Sequence, residues 1–77
     1  MKKVFRSIKL QRQELVAGSL LQTVDLDHEP YLTIDWDDDM KCFLVSHKVT
    51  GVMSFIPLHW VVIANCYGPK TETTAKK

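Results

Sequence analysis

A chain of 77 residues, 45% apolar and 25% charged, has the composition of one ordinary globular domain near the lower size limit for a self-sufficient core. Wholesale disorder is excluded, no apolar run approaches the roughly 20 residues that span a bilayer, and Arg6, Lys9 and Arg12 interrupt any signal-like stretch, so the expected compartment is the cytoplasm. The net charge is only +1, but five bases (Lys2, Lys3, Arg6, Lys9, Arg12) crowd the first twelve residues and seven of the nine acids fall between positions 25 and 39.

Taken in chain order, residues 4–11 alternate Ile8 and Leu10 with Ser7, Lys9 and Gln11, which reads as a strand, although Val4, Ile8 and Leu15 also fit a helical face. Residues 15–19 read as a turn in which Gly18 supplies a positive φ. A second strand follows over 20–24. Residues 25–30 form a loop, because Pro30 lacks a donor and Asp25 and Asp27 favour local turns. The clearest strand covers 31–36: Leu32, Ile34 and Trp36 share the core face, leaving Tyr31, Thr33 and Asp35 on the other. Asp37, Asp38 and Asp39 then turn the chain.

Residues 41–48 make the next strand, apolar on both sides, and 52–56 return through a hairpin whose turn ends in a left-handed Gly51 forming a bulge. Pro57, Leu58 and His59 break that strand as one 3₁₀-like turn. The last strand, 60–67, is apolar on both faces and therefore predicts a central position. Residues 1–67 thus form a small β domain, and 68–77, made of Gly, Pro, Lys, Thr, Glu and Ala, a disordered tail. The expected core is Leu32, Ile34, Trp36, Leu44, Val45, Phe55, Ile56, Trp60, Val62 and Ile63. Six short strands with a break before the last predict a small, bent antiparallel sheet or a partly open barrel. The strand–break–strand passage Ile56-Pro57-Leu58-His59-Trp60-Val61 resembles the closing segment of SH3-like barrels.

Catalysis and cofactors find no footing. Cys42, His47, His59 and Cys66 are zinc-type ligands, but their spacings are not those of knuckles or ribbons, and strand parity turns each Cys away from its neighbouring His. The two cysteines are expected as reduced, largely buried thiols. The run from Asp35 to Asp39 lacks the glycine and the distal Glu of a calcium loop. Ser46 and His47 diverge on a strand, and there is no phosphate loop, nucleophile elbow or His-Glu-x-x-His. The chain reads as a non-enzyme.

Two binding readings remain. The first is a protein-interaction module, of the size of the accessory or regulatory proteins that compact viral and mobile-element genomes carry. It would present Asp25, Asp27, Glu29, Tyr31, Asp35, Asp37, Asp38 and Asp39 to a partner with a basic surface. The second is a nucleic-acid-binding small barrel that uses Lys3, Phe5, Arg6, Lys9 and Arg12, with Phe5 stacking on bases. A third reading is assembly, in which the first strand, as an unprotected edge, pairs across a two-fold axis into a homodimer.

Overall fold

A computed structural model of the chain describes residues 5–66. Lys3, the end of the last predicted strand at Tyr67 and the 68–77 tail lie outside the described residues. The fold is mainly β. Six strands, β1 (Phe5–Val16), β2 (Ser19–Asp25), β3 (Leu32–Asp37), β4 (Cys42–His47), β5 (Met53–Pro57) and β6 (Val61–Cys66), are joined by turns, with a single 3₁₀ turn (Leu58–Trp60) between the last two. They form two three-stranded antiparallel sheets, in the orders β2-β1-β6 and β3-β4-β5, that face each other without closing into a barrel.

The first strand is longer than its alternation suggested. It runs on through Val16 because the β1–β2 turn needs only Ala17 and Gly18, at φ 47° and 92°. Two central residues with positive φ give the two-residue hairpin whose twist matches that of its strands. The register of β1 slips between Lys9 and Glu14 against β2, and twice against β6. Such bulges bend a strand, and the bend carries both ends of β1 into the core: Ile8 and Leu10 at one end, Val16 at the other. At the first slip Ser7 and Ile8 are buried in succession, and Asn65 Nδ2 satisfies the Ser7 hydroxyl at 3.1 Å.

Links between the sheets fix their relation. The Ala17 N–H donates to Ser54 Oγ of β5 at 2.8 Å, and Gln11 Nε2 donates to the His59 carbonyl in the 3₁₀ turn at 2.7 Å. The β4–β5 hairpin closes through Lys48–Gly51, with His47 N–H donating to the Val52 carbonyl and Gly51 N–H to the His47 carbonyl. Gly51 is left-handed, at φ 78°, as the sequence predicted. The predicted bulge is absent: the register continues unbroken from Cys42↔Pro57 to Ser46↔Met53, because a fourth turn residue absorbs what a bulge would have. The His47 Nδ1 accepts from Val49 and Thr50 N–H groups, filling the role of an Asx oxygen in the turn.

One cluster forms the core: Phe5, Ile8, Leu10, Val16, Ala17, Val24, Leu32, Ile34, Phe43, Val45 and Ile56, with Trp36 and Trp60 half-buried against it. Each fully buried Ile, Leu or Val contributes about 1.5–3 kcal/mol before chain entropy is subtracted. Several expectations are corrected. The first sheet has β2 and β6 at its edges and β1 at its centre, so among the described residues the last strand is an edge rather than a central strand, and the first is central rather than an edge. Phe55, Val62 and Ile63 are exposed, Leu44 is half-buried, and the β1–β2 hairpin supplies the core residues they were expected to provide. Of the two free cysteines, Cys42 is buried and Cys66 is exposed.

Candidate interaction surface

The acidic block is not one patch. It runs along β3, which leaves its two end loops ~17 Å apart at about 3.3 Å per residue over five residues.

At the N-terminal end, Asp25 organises the loop. Its Oδ1 accepts the Asp27 N–H at 2.9 Å, its carbonyl accepts the N–H groups of His28 and Glu29, and its Oδ2 lies 3.2 Å from His28 Nδ1. The Asp27 N–H holds the Asp25 carboxyl below its ordinary pKa, with further help from His28 and Arg6. Asp27 itself lies 3.8 Å from Arg6 Nε. The Glu29 carbonyl accepts the Leu32 N–H and so starts β3. Tyr31 is 39% exposed, in line with its predicted outward face, with its ring 4.7 Å from that of His47.

At the other end, Asp37 Oδ1 accepts the N–H groups of Asp39 and Met40 at 3.0 and 3.1 Å. Asp38 Oδ1 takes Lys41 Nζ at 3.2 Å and Trp36 Nε1 at 3.4 Å, and these two donors, Lys41 first, lower the Asp38 pKa. Asp25 and Asp37 therefore cap turns as well as carrying charge. Asp39 stands exposed at the tip.

Between the two ends, the register decides what accompanies the acids. Asp35 sits opposite Leu44, which sits opposite Phe55; Asp37 sits opposite Cys42, which sits opposite Pro57; Thr33, Ser46 and Met53 complete the row. Directly opposed residues share a face, so these nine side chains form the outer face of the second sheet. Its inner face holds Leu32, Ile34, Phe43, Val45 and Ile56. On the outer face Phe55 is 49% and Met53 52% exposed. A shallow depression of about 580 Å³ opens at the Asp37 end, lined among others by Met40, Cys42, Phe55, Pro57, Leu58 and His59.

Sequence reasoning missed this apolar surface by assigning Leu44 and Phe55 to the core. The signal was present: both faces of the β4–β5 hairpin are apolar, and one sheet packed on one core buries only one of them.

Among the described residues the basic set is dispersed: Phe5 is in the core, and Arg6 and Arg12 each lie beside an acid. Phe5 is only 7% exposed and stands edge-on to Phe43, with ring centres 5.0 Å apart, so it cannot stack on a base without leaving the core. Arg6 faces Asp27, and Arg12 Nε lies 2.8 Å from Glu14 Oε2. Lys9 is exposed opposite Thr23 on β2 and Ile63 on β6. Among the described residues no three His, Cys, Asp or Glu side chains gather as a metal site, and no helix is long and apolar enough to cross a membrane. No family model, curated protein or solved structure matches the chain.

Proposed function

We propose that the chain is a non-enzymatic, cytoplasmic interaction module, of accessory or regulatory type, that binds a basic, partly apolar protein segment across the outer face of β3-β4-β5. The observation that carries this reading is the juxtaposition of Asp35 and Asp37 on β3 with Leu44 on β4 and the exposed Phe55 and Met53 on β5, all on one face. Desolvating the apolar centre would supply affinity, while the carboxylates at its margin would steer a positively charged partner and set its orientation. The titrating acids support a binding role over a catalytic one. A general acid at neutral pH needs a raised pKa, whereas the half-buried Asp25 and the exposed Asp38 are both shifted downward.

The test is selection of displayed peptides on the immobilised chain, followed by anisotropy titration of the enriched sequences. Enrichment of peptides with Lys or Arg beside a large apolar residue is expected. Phe55→Ser and Asp35→Asn should each weaken their binding about tenfold, which corresponds to about 1.4 kcal/mol, without changing the circular dichroism. Enrichment indifferent to both substitutions would overturn the assignment. So would salt-sensitive binding of labelled single- or double-stranded oligonucleotides that is abolished by Arg6→Ala with Lys9→Ala, since that is the behaviour of the nucleic-acid reading through Lys3, Arg6, Lys9 and Arg12.

A further inference from the structure

Two sheets that do not close leave four edge strands, and three of them carry features that discourage pairing. On β3 the carboxylates of Asp35 and Asp37 occupy the edge, on β5 Pro57 removes a donor, and β2 ends in Asp25. Charged and proline residues are the usual means by which a sheet edge is kept from pairing with another chain. The fourth edge, β6, has none. Its sequence Val61-Val62-Ile63-Ala64-Asn65-Cys66 holds no charge and no proline, Val62 and Ile63 are 57% and 49% exposed, and among the described residues its only strand neighbour is β1.

We infer that β6 is an assembly edge that pairs antiparallel with β6 of a second copy of the chain, about a two-fold axis near Ile63. The result is a continuous six-stranded sheet in the order β2-β1-β6-β6-β1-β2. A second copy fits this edge better than a foreign strand for two reasons on the molecule itself. An antiparallel strand related by a two-fold axis is its own complement, with outward N–H and C=O groups meeting their equivalents. The chain's net charge of +1 also leaves little repulsion between copies. The dimer edge expected at the first strand thus moves to the last one, and the acidic and apolar face of the second sheet stays clear of it.

The register with β1 supplies a discriminating test. Ile63 lies opposite Lys9, so Ile63→Glu gains a favourable cross-strand neighbour within its own chain but meets its own like charge across the axis. Sedimentation of the full chain in reducing buffer should show a monomer–dimer equilibrium, and exchange of the β6 amides should slow as concentration rises. Ile63→Glu and Ile63→Lys should each weaken dimerisation at least tenfold while the circular dichroism stays unchanged, and an equimolar mixture of the two should restore dimers. A wild-type chain that sediments as a monomer at every concentration would overturn the inference. Dimers that survive both substitutions, or a mixture that fails to reassociate, would do the same.

Discussion

Asp37 is both a charge on the proposed binding face and the cap of the β3–β4 turn, and the two roles can be separated. Asp37→Ala removes the oxygen that accepts from Asp39 and Met40. Both residues are exposed, so water takes over these donors and neither N–H is left buried. The loss per bond therefore sits in the lower part of the 0.5–1.5 kcal/mol range, and the pair is worth about 1–2 kcal/mol, the size of a lost helix cap. In a domain this small that should lower Tm by about 5–15 °C. Asp37→Asn keeps an acceptor in place and loses only the charge assistance, so it should recover at least half of the stability. Peptide binding should fall equally in both variants, because both lack the carboxylate. Urea unfolding followed by circular dichroism measures the first effect, with an unchanged m-value showing that the unfolded state is not responsible. An alanine variant as stable as wild type, or an asparagine variant no better than alanine, would refute the argument that the turn depends on this oxygen.

Ile8 is fully buried at the bend of β1, so Ile8→Ala should cost about 2–5 kcal/mol; against a total of 5–15 kcal/mol for typical domains, the cooperative melt should collapse or shift far down. At Gly51 an added Cβ would meet no atom within 4 Å. Gly51→Ala should nevertheless cost about 1–2 kcal/mol in chemical denaturation, because the left-handed backbone alone penalises an L side chain. Asp25 and Asp38 both have folded pKa values below their ordinary one. Their contribution to stability is thus complete above the ordinary carboxylate pKa and is lost as pH falls through the depressed values. Acid titration of the melting midpoint should decline below about pH 4, and less steeply in Asp25→Asn with Asp38→Asn.

Local punctuation was legible in the amino-acid order. Gly18 and Gly51, the Asp-rich turns and Pro57 mark the ends of strands through backbone conformation and missing donors, and these effects act within a few residues. The faces of β3 were legible too, since Leu32 and Ile34 alternate with Thr33 and Asp35 as the pleat demands. The first strand was harder. Its bulges put Ser7 and Ile8 inward in succession and break the period-two signal, so its central place in a sheet and the burial of Phe5 did not show.

The apolar face and the open edge lay further from reach, and for one reason. A strand that is apolar on both sides reads identically whether the second side is covered by the same domain or left bare. That this chain is a set of short antiparallel strands joined by acid-capped and glycine turns follows from the residues in order, because those preferences are local. Which strand is central, which apolar side chains remain in water and which acids stand beside them emerge from the folded packing alone, because there is one core to share and two sheets assign it between them.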